Sequence, residues 1–160
     1  MPMKRVVIIG PGASGKSTLA RILGEITGLP VIELDQVFWQ PGLVETPRDQ
    51  WLELQRRLVG ESEWIMEGDL GPNDAVEVRL RAADTIIFLD LSLARCAWRA
   101  LRRSRERIDF WLWLSRYRRQ SRPFLMKAIS AHASTAAIYF LRDPAAVGKF
   151  VANAGRQYQP

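Results

Sequence analysis

Gly10-Pro11-Gly12-Ala13-Ser14-Gly15-Lys16-Ser17, standing directly after the apolar run Val6-Val7-Ile8-Ile9, decides how the rest of the chain is read. The octet fits G-x-x-x-x-G-K-[ST] at every fixed position, with a short buried strand before it and a helical pattern after it. The spacing has a physical reason. Glycines let successive backbone N–H groups turn inward around a polyphosphate, and the following helix aims its positive N-terminal end at the same place. In that setting Gly10, Gly12, Ala13, Ser14, Gly15 and Thr18 would cradle the phosphates of a nucleoside triphosphate such as ATP. Lys16 would reach the β- and γ-phosphates and act on the transferred group, and the Ser17 hydroxyl would ligate Mg²⁺.

The same residues satisfy a second pattern. Gly10, Gly12 and Gly15 spell G-x-G-x-x-G, and Asp35 lies 20 residues beyond Gly15, as in a dinucleotide-binding fingerprint. Lys16 decides against it. A cation in the first turn of a helix opposes the macrodipole unless an anion sits there, and a triphosphate supplies that anion.

With 160 residues, 48% hydrophobic and 25% charged, the composition is that of an ordinary globular protein, and one domain over 1–160 is expected. The single Cys96 excludes an internal disulfide, and with the single His132 it cannot build a zinc site. No secretory pattern is present, and the longest uncharged stretch, Ala128 to Leu141, is too short and polar to span a bilayer. A soluble, cytoplasmic protein without a membrane partner is expected.

The net charge of +6 points to anionic partners. It is concentrated: between Arg95 and Arg122 stand ten arginines (95, 99, 102, 103, 105, 107, 116, 118, 119 and 122) against Glu106 and Asp109, so that this segment carries +8. Phosphoryl transfer uses arginines to neutralise developing charge, which makes Arg99 and Arg103 catalytic candidates. The same residues would equally follow a nucleic-acid backbone, or form a solvated helix face.

Apolar runs place strands at Lys4–Ile9, Val31–Leu34, Trp64–Glu67, Thr85–Leu89 and Ala137–Leu141. Between them, Leu19, Ile22, Leu23 and Ile26 stripe a helix that Gly28 and Pro30 close. Residues 36–45 read as irregular, and a helix then starts with Thr46 as N-cap and Pro47 at its first position. Further helices are expected near 73–83, after Ser92 with Leu93, Cys96, Ala97, Ala100 and Leu101 as core stripe, at 109–120 up to Pro123, at 125–132, and at 144–152. The tryptophans are assigned to the core. Alternating strands and helices imply three α/β/α layers around a mostly parallel sheet, with ligands beyond the carboxyl ends of the strands. Asp35, Glu67 and Asp90 all fall there. Asp35 would bind or deprotonate an acceptor hydroxyl, or else cap a turn. Glu67 and Asp90 compete to be the second acid at the metal. Arg79 and Arg81, before the fourth strand, would orient a substrate anion or, more simply, belong to a solvated helix face.

The P-loop, Leu34-Asp35 with Trp39, Thr46-Pro47, Trp64-Ile65-Met66-Glu67-Gly68 and Ala83-Asp84-Thr85-Ile86-Ile87-Phe88-Leu89-Asp90-Leu91 occur in that order. In this the chain resembles the bacterial adenylate-kinase-like P-loop proteins often labelled topology modulation proteins. The resemblance runs to Phe140-Leu141-Arg142-Asp143-Pro144 and so covers nearly the whole length. It implies the P-loop NTPase fold, with a five-stranded parallel sheet in the order 2-3-1-4-5 as in nucleoside monophosphate kinases. It also implies an acceptor-binding insert at about 36–63, a short arginine-bearing lid at about 102–109, Arg142 beside an adenine base, and Glu67 rather than Asp90 at the metal. Members of that family usually carry Asp-Gly-Asn-Tyr where this chain has Glu67-Gly68-Asp69-Leu70. The expected function is transfer of the ATP γ-phosphoryl group to a small-molecule acceptor, a nucleotide or nucleoside among the candidates. The alternative is a nucleotide-binding regulator that engages DNA or RNA through Arg95 to Arg122, with little or no turnover.

Overall fold

Every residue of β1 (Arg5–Ile9) after the first is buried, the mark of a strand covered on both faces. The structure, a computed structural model, describes residues 3–42, 44–71, 74–103 and 108–158, with the side chains of Arg103, Asp109, Phe110 and Trp113 outside that description. In it β1 is the centre of a five-stranded sheet. It pairs in parallel with β5 (Trp64–Glu67) on one side and with β6 (Thr85–Leu89) on the other. β2 (Val31–Glu33) adds to β5 and β7 (Ala137–Leu141) to β6, again in parallel.

The order in full numbering is β2-β5-β1-β6-β7, which differs from the numerals expected from the resemblance. The difference arises because two short strands intervene. β3 (Trp39–Gln40) and β4 (Val44–Glu45) pair antiparallel as a separate hairpin within the stretch expected to be irregular. Counted among the five sheet strands alone, the order reads 2-3-1-4-5.

Strand side chains alternate between two apolar layers, as the two-residue period requires. Val7, Ile9, Trp64, Met66, Ile86 and Phe88 face one cluster, completed by α3 (Arg48–Val59), α4 (Val76–Ala82) and α7 (Ser121–His132). Val6, Ile8, Ile65, Ile87 and Leu89 face the other, closed by α1 (Lys16–Thr27) and α8 (Pro144–Tyr158). A third, smaller cluster, Leu91, Cys96 and Leu114, joins α5 (Leu93–Arg103) to α6 (Ile108–Tyr117). Gly28 closes α1 at φ 75°, its N–H bonded to the Gly24 carbonyl.

Several expectations are corrected. The second strand stops at Glu33, and Leu34–Phe38 form a short helix, α2, because Leu34 and Phe38 at i, i+4 both bury against the core. Pro47, not Thr46, occupies the N-cap of α3, and the Thr46 hydroxyl donates instead to the Phe38 carbonyl across the hairpin. Pro123 does not end a helix; it lies in the first turn of α7, where its missing N–H costs nothing. The last helix runs to Tyr158. Trp51 and Trp64 are fully buried, but Trp39 and Trp98 are exposed, as is Leu101. Among the described residues no helix is long and apolar enough to cross a membrane.

Candidate functional site

The loop between β1 and α1 lies at the carboxyl end of the central strand. Gly10 takes φ 153°, and a Cβ there would stand 2.7 Å from the Leu89 carbonyl oxygen of the neighbouring strand. Gly10→Ala must therefore push β1 and β6 apart. We expect a loss of about 1–3 kcal/mol, read as a fall in melting temperature. Ala13 at φ 57° and Gly15 at φ 95° then bring two left-handed turns within three residues. Such a succession curls N–H groups around a concave space, and the first-turn N–H groups of α1 have no carbonyl inside the helix to bond. The Ser14 hydroxyl is buried there without a protein partner. An orphaned donor in a cradle of N–H groups fits an oxyanion.

Lys16 folds back, its Nζ donating to the Pro11 carbonyl at 3.0 Å. Burial pulls its pKa down, while the charges of Glu67, Asp69 and Asp35 pull the other way. Ser17 donates its hydroxyl to Glu67 Oε1 at 2.8 Å. Glu67 ends β5 and is paired in register with Ile8 and Glu33. Its burial pushes the carboxyl up, with the Ser17 hydrogen bond and Lys16 opposing. Hydroxyl and acid thus stand together as they would around the Mg²⁺ that accompanies ATP, Ser17 as direct ligand and Glu67 on a coordinated water. Among the described residues no three His, Cys, Asp or Glu side chains converge as a cation cage, so the ion's remaining ligands would be phosphate oxygens and water.

Asp35 lies in the first turn of α2 rather than at a strand end. It keeps an exposed surface, yet desolvation raises its carboxyl above the usual range, Lys16 opposing and Asp74 and Glu33 adding to the rise. Asp69, two residues past Glu67, accepts the Gly71 N–H on Oδ1 at 3.0 Å, while Oδ2 is enclosed without a partner. Arg99 reaches across from α5: its Nη1 is 3.4 Å from the Ser14 carbonyl, and both terminal nitrogens are 3.2 Å from where a Gly15 side chain would begin. With Ser14, Thr18, Pro144 and Val147 it lines a cavity of about 160 Å³ beside the P-loop.

Not every candidate converges. Arg122 grips both oxygens of Asp90, at 2.9 and 2.8 Å, and Arg142 stands 3.8 Å from the same carboxylate with most of its side chain in solvent. Asp90 is therefore engaged by arginines, whereas Glu67 is the acid beside Ser17. The side chain of Arg103, together with Arg105 and Arg107 of the expected lid, lies outside the described residues.

The sequence reading missed one constellation. Arg79 of α4 is fully buried and donates to both oxygens of Asp74, at 2.9 and 2.6 Å, to Gln55 at 3.1 Å and to the Gly68 carbonyl at 3.0 Å. Gln55 and Trp51 of α3 donate to Asp74 in turn. The network fastens the Gly68 carbonyl between Glu67 and Asp69. No motif announces it; the only signal is an arginine at i+3 from Val76, on the same helix face that buries Val76 and Leu80.

Solved structures of small-molecule kinases share this architecture. A shikimate kinase from Acinetobacter baumannii in complex with shikimate matches with a TM-score of 0.63 at 15% identity, covering 94% of this chain and 90% of that one. A shikimate kinase from Bacteroides thetaiotaomicron matches with 0.60 at 13%, covering 97% and 98%. A gluconokinase from Sinorhizobium meliloti matches with 0.52 at 16%, covering 98% of each. The chain has the P-loop kinase fold. No family model matches it, and no curated protein matches it in sequence.

Proposed function

We propose that the chain is an ATP-dependent phosphotransferase acting on the hydroxyl group of a small molecule. One observation carries the reading: the Ser17 hydroxyl bonded to Glu67 at 2.8 Å, one residue from Lys16, whose charge is felt by Asp35, Glu67 and Asp69. In this reading phosphate cradle, metal acid and a second carboxylate would work together around Lys16. The backbone of Gly10 to Gly15, with Thr18, holds the nucleotide's phosphates. Lys16 leaves the Pro11 carbonyl to neutralise charge on the transferred group, and Arg99 stabilises the same charge from α5. Asp35 takes the proton as the acceptor oxygen bonds to the γ-phosphorus and the bond to the bridging oxygen breaks, leaving ADP. Positioning and charge stabilisation do most of the chemistry.

The finer expectations belong to the same proposal: a single domain with an acceptor-binding insert at 36–63 and a short lid at 102–109, Arg103 and Arg142 at the nucleotide, a cytoplasmic location, and kinship with the topology modulation proteins. A nucleotide-binding regulator remains the second reading. It draws on the exposed Arg95, Arg102, Arg116, Arg118 and Arg119, with the Arg102 guanidinium 5.1 Å above the exposed Trp98 ring. Such a face suits a nucleic-acid strand. It ranks second because a binding platform alone gives no purpose to the acids around Lys16.

The test is acceptor-dependent ATP turnover as a function of pH. Because Asp35 is raised and must be ionised to take a proton, kcat should fall as pH drops through a value above the ordinary aspartate pKa of about 3.9. Asp35→Asn should remove that acid limb and leave ATP binding intact. A limb unchanged in the variant would assign the proton to another group.

A further inference from the structure

β7 ends the sheet, and among the described residues no strand pairs with its outer side. Its inner side is fixed by β6: the Ala137 N–H donates to the Asp84 carbonyl, and the Leu141 carbonyl accepts from the Asp90 N–H. With a two-residue period, the backbone N–H and C=O groups of Ile138 and Phe140 therefore point away from the sheet. The side chains along this edge are apolar and open: Ile138, Tyr139 and Phe140 are 38%, 42% and 37% exposed. Tyr139 packs on Phe150 of α8, and Phe140 on Phe88, so the apolar surface continues over both faces of the strand. Nothing blunts it. Ala137 to Leu141 contain no proline and no charge, the devices by which edge strands resist pairing.

We propose that β7 is a self-association surface, on which a second copy of the chain lays its own β7 antiparallel about a two-fold axis at Tyr139. The strand is complementary to itself in that register. Ala137 faces Leu141, Ile138 faces Phe140 and Tyr139 faces Tyr139, so apolar meets apolar along the whole length, and the outward backbone groups of Ile138 meet those of Phe140. Charge selects the same register. The net charge of +6 makes copies of the chain repel one another, but here Arg142 lies opposite Ala136 and Asp143 opposite Thr135. An axis at Phe140 would instead set Arg142 against Ile138 and Asp143 against Ala137.

The far edge of the sheet explains why pairing stops at two copies. β2 is three residues long, carries Glu33 and runs directly into α2. Pairing β7 with the β2 of another copy would propagate as a filament, and β2 is a poor template for it; pairing β7 with β7 closes on itself. Between β7 and α8 a cavity of about 270 Å³, lined in part by Ala137, Tyr139, Phe150 and Ala154, leaves room for side chains of an added strand. The P-loop follows β1, two strands in from this edge, so the association does not draw on the phosphate site.

The test is sedimentation equilibrium of the full chain over a concentration series, without nucleotide. A single strand pair lies at the small end of specific interfaces, so we expect a Kd of about 1–100 μM, read as a rise from the mass of one chain to that of two. Tyr139→Lys sets two ammonium groups face to face at the axis and should raise that Kd about tenfold or more. Disulfide trapping reads the register. Opposed Tyr139 residues form a non-hydrogen-bonded pair with Cα atoms about 4.5 Å apart, within reach of a disulfide, whereas Ile138 and its counterpart lie on a diagonal of about 7–8 Å. Tyr139→Cys should thus cross-link under mild oxidation far more completely than Ile138→Cys, and the fully buried Cys96 does not compete. Trapping decides the matter even where Tyr139→Lys fails to fold. Wild type that keeps the mass of one chain at the highest concentration overturns the proposal and leaves the edge to another occupant, such as a foreign strand. Association that a folded Tyr139→Lys does not weaken, or equal trapping of the two cysteine variants, overturns it in favour of a different surface.

Discussion

Lys16→Ala should lower acceptor-dependent turnover of ATP by roughly 10²–10³-fold while the protein stays folded. Among the described residues the lysine hydrogen-bonds the Pro11 carbonyl and belongs to neither apolar layer. Its burial disfavours the charged form. Removing it relieves that cost but leaves Glu67 and Asp35 without the one cation that restrains their rise. The net change in stability should therefore be small, and any acid limb should move to higher pH as the two carboxyls lose their counter-charge. Steady-state rates, ATP titration and a melting curve taken together check this. Lys16→Arg should not restore the rate, because a planar fork cannot occupy the place of a compact ammonium inside the loop. Turnover that survives Lys16→Ala would mean that the P-loop does not act on phosphate.

How far the sequence foretold this arrangement depended on whether a residue's role is local. Val6 to Ile9, Trp64 to Met66 and Thr85 to Leu89 are buried at every position because parallel strands are covered on both faces, and an apolar run of that kind can be read directly. The P-loop is legible for the same reason: its function lies in its own backbone. Both Asp35 and Glu67 read as strand-end acids, but only Glu67 ends a strand, Asp35 lying in α2, and nothing in their neighbours' identities shows that Glu67 meets Ser17 across 50 residues of chain. The hairpin of Trp39–Gln40 with Val44–Glu45 escaped notice because two-residue strands carry no period. Trp98 and Leu101 were placed in the core by residue type and helical spacing, but on α5 the buried positions are Cys96 and Ala100. A stripe one step wider than the contact face cannot be distinguished without the partner helix. Arg79 was the least visible. Whether a buried cation is tolerated depends on a carboxylate whose placement the fold decides, and single-sequence patterns do not report such pairs.

That pair sets the second large effect. Asp74→Ala should destabilise the fold by about 3–5 kcal/mol, because it strips the carboxylate from a guanidinium with no access to water. Gln55 and the Gly68 carbonyl would remain as neutral acceptors, and Arg79 Nε already lacks a partner. For a protein of this size the loss corresponds to a fall in melting temperature of roughly 6–20 °C. Replacing both partners, Asp74→Leu with Arg79→Met, should cost far less than either single change, since an apolar pair carries no desolvation penalty. The pH dependence has a definite sign. Burial raises the Asp74 carboxyl, but the charge and hydrogen bonds of Arg79 outweigh it and hold the folded-state pKa below the ordinary value. The stabilisation is thus complete above the unfolded value of about 3.9 and disappears as pH falls through the lower folded value. Wild type should lose stability over that acid range and Asp74→Ala should not. The consequence for the site follows from the Gly68 carbonyl. Arg79 holds it between Glu67 and Asp69, so under the proposed function the double apolar variant, though folded, should position Glu67 less well and show a reduced kcat with little change in the KM for ATP. A double variant with wild-type kcat would show that the strand end alone fixes Glu67, and that the buried ion pair serves stability only.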